Sequence, residues 1–444
     1  MKLQRILATG ALALAVVASS AQADVVIRIA GSSAYRSAVN SAITSLLGDS
    51  KLGILIADGA TSVDKSNVAL FSGTATNTIS TTYNGDAYTI PAGTRIIVCT
   101  SWTGSVAGVY SLANSGNTSR GFIPATAPVT AGVTGSAAAS DTTSAVDIAM
   151  SDVFLDTANG VLGTSWTTDE IQEAGGGTYK GIGVCPFKWV VSGTNTGLTN
   201  VSTQNVHTIY KTGYISKNLL INGAAATSAT AAKVYGFGRD SDSGTRLTAF
   251  ADTDLGATFL PVQYGITNTS SSSRVLGSSG SYVTLTPSSV VNTISYSDGQ
   301  GGYSSGGTLA TAIGAIGTGS FTGIASGTDA AIAYLSVSDA ASIVSGASIT
   351  ATELTYNGVP YTLGNVYNGA YTFWSYEHMF YRINDTPDNG SDTGIFAEAL
   401  AYNLLHTTVP AKAGTDVTSG SATYVDVTKM IVKRNTDGGY LIKK

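Results

Sequence analysis

The stretch KVYGFGRDSDSGTRLTAF, residues 233–250, carries most of what this chain says about its fold. An apolar run closed by glycine reads as a buried strand, Arg239 follows, and Ser243, Gly244 and Thr245 open a segment of helical character. The first N–H groups of a helix have no intrahelical partner and carry partial positive charge, so a turn of this kind suits an anion. A planar five-donor arginine beside two hydroxyls suits a tetrahedral oxyanion in particular.

The same order of strand, Gly/Ser turn and helix start occurs twice upstream. VVIRIAGSSAYRSAV (25–39) is one instance and RIIVCTSWTGSVAGVYSL (95–112) the other. Glycine lets the backbone approach closely, and serine adds a hydroxyl donor. Asp152 follows a further short apolar run, VDIAM (146–150). In open α/β sheets such turns line the crevice beyond the carboxyl ends of the strands. Three converging turns with Arg239 form a cage for a small oxyanion.

Composition narrows the field. At 444 residues the chain is long enough for two or three domains. Charged residues make up 11% and the net charge is -5, which argues against nucleic acid and anionic membrane surfaces as partners. An anion must therefore be held by local geometry. Residues 1–23 read as a cleaved signal peptide: Lys2 and Arg5 precede an apolar stretch at 6–18, and Ala21 and Ala23 form a small-x-small site before Asp24. The expectation is a soluble periplasmic or secreted protein without a lipid anchor. Cys99 and Cys185 lie in apolar strand-like runs, and both a bridge and two separate buried thiols are compatible with that. His207, His378 and His406 show no ligand spacing, so neither a structural metal nor a cofactor is expected.

Along the chain, VVIRIA, TRIIVC, VDIAM, IGVCPFKWVV and KVYGFG fit buried strands. Helical spacing appears in SAYRSAVNSAITSLLG (33–48), TQNVHTIYKTGYI (203–215) and TGIFAEALAYNLLH (393–406). The alternation indicates an α/β fold with a mainly parallel sheet. Ser/Thr/Gly/Ala-rich tracts at 114–144 and 267–308 read as loops or irregular strands. GTGSFTG (317–323) has the spacing of a hydrolase elbow without a strand-to-helix context, so it reads as a glycine-rich loop. No phosphate loop and no clustered metal ligands occur, and the chain reads as a non-enzyme.

In the order of these motifs the sequence resembles the phosphate-binding proteins of phosphate ABC transporters, in the periplasmic type II solute-binding superfamily. The resemblance runs through Gly31 to Tyr35, Gly104, Ser105 and Gly108, Ser151 and Asp152, NVHTIYKTGYI, Arg239 with Ser243, Gly244 and Thr245, AAIAYLSVSDA and NVYNGAYTFWSYEHMFY. It implies two α/β lobes joined by two crossover strands with the ligand between them. Lobe one would take 24–190 plus 350–444, and lobe two 191–349. CPFKWVVS would be the first crossover, and the segment near GVPYTLGNVY the return. It further implies that inorganic phosphate is bound by Ser33, Ala34, Tyr35, Ser105, Asp152, Arg239, Ser243, Gly244 and Thr245, with Asp152 accepting and the others donating. Ala34 stands where many relatives carry threonine, so Ala34 and Tyr35 offer only backbone N–H. The partner implied is an ABC transporter permease in the inner membrane, and the protein is expected to act as a monomer. The alternatives are a surface or structural protein that reuses the fold, or a binder of another tetrahedral oxyanion.

Overall fold

A computed structural model describes residues 23–444 except 49–51, 58, 115–119, 168, 176–180, 194–196, 223–231, 266, 271–272, 276–301, 318–320, 323–328, 346–348 and 412–423. The leader, most of the 267–308 tract and most of the 317–323 loop lie outside the described residues. No described helix is long and apolar enough to cross a membrane.

Residues 24–192 supply β1 (Val25–Gly31), α1 (Arg36–Leu47), β2 (Val68–Thr74), β3 (Arg95–Ser101), α2 (Ser105–Ala113), β4 (Ile148–Ser151) and β5 (Gly183–Ser192). The remainder supplies α3 (Thr203–Thr212), β6 (Lys233–Gly236), α4 (Gly244–Asp252), α5 (Gly306–Gly317), β7 (Ala330–Ser336), β8 (Ala351–Tyr356), β9 (Trp374–Arg382) and α6 (Asp392–Asn403). Each apolar run read as a strand forms one, and the three helical stripes become α1, α3 and α6. The start of α1 is displaced, because Ser33 to Tyr35 form a turn before helical geometry begins at Arg36.

The central sheet has the neighbour order β6-β7-β5-β9-β4-β1-β3-β2. It is mixed rather than mainly parallel. β1 runs parallel to β3 and β4, and β6 runs parallel to β7, but the contacts of β5 and β9 are antiparallel. The reason is topological: a chain that leaves one strand group and returns to it must run against its neighbours at the crossing.

That crossing is visible along β5. Gly183 to Pro186 pair with β9, Phe187 to Val191 pair with β7, and Trp189 to Ser192 pair with β8. All ten residues of β5 are buried. The returning strand is β9, whereas residues 358–367 form a turn and a short helix ahead of it. Trp189 anchors the junction, stacked on Phe373 at 5.2 Å between ring centroids and edge-on to Tyr334 at 5.7 Å. Aromatic pairs in such geometry contribute about 0.5 to 1.5 kcal/mol each beyond area burial.

The first strand group is covered on both faces, which keeps its inward carboxyl edge rigid. Val39, Ile43 and Leu47 of α1 join the largest core, while Val106, Val109 and Leu112 of α2 join a second core with Leu70, Cys99 and Ala149. A third core gathers Leu309 and Ile313 of α5 against Ala331 and Ala333 of β7. Both cysteines are buried as free thiols, so the two separate thiols weighed above are what the structure contains. Burial pushes the Cys99 thiol up to about 12, and the Cys185 thiol donates to Glu377 Oε2 at 3.2 Å.

Candidate anion site

Because β1, β3 and β4 are parallel, the turns that follow them emerge along one edge. Gly31 ends β1 at φ +129°, and a Cβ there would lie 2.0 Å from the Met150 carbonyl oxygen, so only glycine lets the turn pass β4. The Ser32 N–H donates to that same carbonyl at 2.8 Å. Gly104 N–H donates to the Gly31 carbonyl at 2.9 Å, tying the turn after β3 to the turn after β1. α2 then starts at Ser105, and its Val106 N–H donates to the Asp242 carbonyl at 3.1 Å. This last bond joins the first strand group to the Arg239–Ser243 turn.

Asp152 is the hub. It is almost fully buried, and its carboxylate accepts from the Ser105 hydroxyl on Oδ1 and from the Thr245 hydroxyl on Oδ2 at 3.2 Å. Gly244 fits because it lacks a side chain: a Cβ there would meet Asp152 Oδ1 at 1.7 Å and the Ser105 hydroxyl at 2.7 Å. Burial raises the Asp152 carboxyl above the usual range, against the Ser105 bond, the Arg239 charge and the Thr245 bond. Ser243 caps α4, accepting from Arg246 N–H at 3.2 Å.

Arg239 is 3% exposed and aligned by backbone carbonyls. Its Nε donates to Tyr303 O at 2.9 Å and an Nη to Ser304 O at 3.2 Å, which uses two of the five guanidinium N–H groups. Its own backbone is held by the Tyr334 hydroxyl at 3.0 Å and by Gln263 at 2.9 Å.

The structure thus brings Ser105, Asp152, Gly244 and Thr245 together, with Ser243 as the cap behind them and Arg239 within electrostatic reach. No hydrogen bond among the described residues joins Ser33, Ala34 or Tyr35 to this cluster. Ser33 lines a separate cavity of about 180 Å³ with Arg36, Lys65, Ser305 and Asp339. Ala34 and Tyr35 face Cys185, Pro186 and Ser336. The Tyr35 ring is buried with its hydroxyl against Gly183.

Three groups here were not among the ligands expected from the sequence. Ser32, not Ser33, is the buried serine of the first turn, and its hydroxyl lies near the Glu377 carboxyl. Asp240 is fully buried, and among the described residues neither carboxyl oxygen has a hydrogen-bond partner. Glu377 is fully buried in β9, and burial, followed by the charge of Asp152, raises its carboxyl well above the usual range. A glutamate inside the apolar run WSYEHMFY was the available signal, since a carboxyl on a strand buried on both faces rarely serves packing.

No protein-family model and no curated protein matches the chain. Among solved structures the chain is similar to a phosphate ABC transporter substrate-binding protein with bound phosphate from Clostridium perfringens, at 11% identity and a TM-score of 0.41, covering 88% of this chain and 97% of that one. It is also similar to an ABC-type phosphate transport receptor from Vibrio cholerae, at 11% identity and a TM-score of 0.40, covering 86% and 98%. A third is a possible phosphate binding protein from Planctomyces limnophilus, at 10% identity and a TM-score of 0.37, covering 91% and 94%. These likenesses are loose, and the functional reading rests on the chemistry of the site.

Proposed function

We propose that this protein is an extracytoplasmic binding protein that holds inorganic phosphate between two lobes and passes it to an ABC transporter permease. The lobes divide near residue 190 and, because β8 pairs with the same half of β5 as β7 does, between β8 and β9 rather than near residue 350. The observation that carries the reading is the meeting of a buried carboxylate, two hydroxyls and an arginine drawn from three separate chain segments, where the N-termini of α2 and α4 converge. Such a set costs stability when buried, and a ligand that completes it is the economical reason for building it.

The chemistry selects phosphate among oxyanions. Near neutral pH phosphate keeps at least one proton and can donate it to Asp152, replacing a hydroxyl that now donates there. Ser105 and Thr245 are then free to turn their protons toward the anion, with the α4 N–H groups and Arg239 completing the shell. Sulfate has no proton to donate and would set its charge against an unpaired carboxylate. Competitive calorimetry of the purified protein with phosphate and sulfate tests this. We expect phosphate to be bound and sulfate to be discriminated against, with Asp152→Asn narrowing the difference.

A second reading has one observation in its favour. Ser105 and Thr245 already satisfy Asp152, and Tyr303 and Ser304 already engage Arg239, as they would in a scaffold that has kept the fold and closed the site. A protein that shows no heat of binding with either anion supports that scaffold and removes the transport reading.

A further inference from the structure

Resting on the phosphate reading, we propose that Asp240 sets the charge state in which the site accepts its ligand: its carboxyl carries a proton when the oxyanion is bound, and its ionisation opposes binding. The geometry isolates this carboxyl. Asp240 is 0% exposed, and among the described residues neither of its oxygens meets a hydrogen-bond donor, although arginines flank it. Arg239, its chain neighbour, directs Nε and an Nη toward the Tyr303 and Ser304 carbonyls instead. Arg246 directs Nη1 at the Arg239 carbonyl, 3.3 Å away. Gly302 packs directly on the backbone between Arg239 and Asp240, where a Cβ would lie 2.2 Å from the Arg239 carbonyl carbon. A carboxylate held in this way lacks both water and hydrogen bonds, which is the environment that favours the protonated acid.

The surrounding charges give the consequence. Among the described residues, the titratable groups facing Asp240 are Asp242, Arg239, Arg246, Arg120 and Tyr334. Whatever the rest of the site carries, a proton on Asp240 removes one negative charge from the neighbourhood of Arg239 and Arg246 and so favours an incoming anion. Burial, then the charge of Asp242, pushes the Asp240 carboxyl up to about 7, against the three arginines. A bound oxyanion adds negative charge nearby and drives it higher still, so above that pH binding draws a proton from the buffer onto Asp240. By linkage, affinity then falls about tenfold for each pH unit above the midpoint, beyond whatever the titration of phosphate itself contributes.

The test is calorimetry with inorganic phosphate from pH 6 to 9 in buffers of different ionisation enthalpy, which counts protons taken up on binding. It is run on the parent protein and on Asp240→Asn, Asp152→Asn and Glu377→Gln, the last two because both residues are buried acids with raised values. The expected result is proton uptake that is smaller in Asp240→Asn than in the parent and unchanged in Glu377→Gln, with a flatter pH profile in Asp240→Asn. The titration of phosphate is common to the parent, Asp240→Asn and Glu377→Gln and cancels among them, whereas Asp152→Asn also reports the proton that phosphate shares with Asp152. Unchanged uptake in Asp240→Asn, or the same loss in Glu377→Gln, overturns the inference while leaving the phosphate reading standing. Absence of phosphate binding in the parent removes both. Should Asp240→Asn fail to fold, infrared difference spectra of the parent decide: a protonated-carboxyl band must grow when phosphate is added at pH 8 and persist in Asp152→Asn and Glu377→Gln. Its absence is equally fatal to the inference.

Discussion

Two turns of this molecule share one local grammar and differ in outcome. After β1, Gly31, Ser32 and Ser33 lead into α1; after β6, Arg239 to Ser243 lead into α4. In the second turn the serine before the helix caps it, the following glycine lies against Asp152, and the next threonine bonds that carboxylate. In the first, α1 begins at Arg36 with no side-chain cap, Ser33 faces a separate cavity, and Tyr35 enters the core. A Gly/Ser turn supplies donors in both places, but what stands opposite determines where they point. Asp152 stands opposite the second turn and the backbone of β4 opposite the first.

The largest effect that would sharpen this contrast is expected at Gly31, whose value is steric rather than chemical. Gly31→Ala sets a side chain against the Met150 carbonyl at a positive φ and should cost about 3 to 5 kcal/mol of stability, read by denaturant unfolding. A cost below about 1 kcal/mol would mean that the first turn yields easily and the two turns are less distinct than they look.

Asp240 has no counterpart in the first turn, and its effect should be visible without ligand. An unfolded aspartate titrates near 4 and the folded one near 7, so between those values the folded protein holds a proton that the unfolded chain has lost. Stability therefore falls as pH rises through that window and levels off above it. Relative to the parent, Asp240→Asn should gain about 2 to 4 kcal/mol across the window, measured by urea unfolding at several pH values. A constant difference from pH 4 to 7 would show that Asp240 ionises normally.

Arg239→Ala should weaken phosphate binding by about 1.5 to 3 kcal/mol, at least about tenfold in affinity, since a buried charge-assisted donor is lost. The smallest effect is expected at Ser33→Ala, within about 0.5 kcal/mol in both stability and phosphate affinity, because that residue lies in the other cavity. Equal losses at Arg239 and Ser33 in calorimetry would erase the comparison and return the first turn to the ligand shell.

Much was legible in the order of residues alone. The runs VVIRIA, TRIIVC and KVYGFG are apolar enough to be buried strands in any arrangement, and the stripe from Ala38 to Leu47 has one face to hide; burial and period are properties of the local chain. Glycines at 31, 104 and 244 could be read as close approaches because no other residue tolerates them. The sheet's mixed direction was not legible, since strand polarity depends on which neighbour a returning chain chooses. Nor was the fate of each serine.

Ser32 and Ser33 are chemically identical neighbours, and only the hydrogen bond from Ser32 to Met150 determines which is buried. Asp240 and Glu377 are carboxyls like any other in the sequence, and their unusual protonation arises only where the fold withholds water from them. The sequence by itself determined which segments must be buried and which turns must pass close to a neighbour, because those follow from side-chain volume, polarity and period. Only the tertiary structure decided which donors face which acceptors and which acids keep a proton, because those depend on groups brought together from residues more than a hundred apart in the chain, such as Asp152 and Glu377.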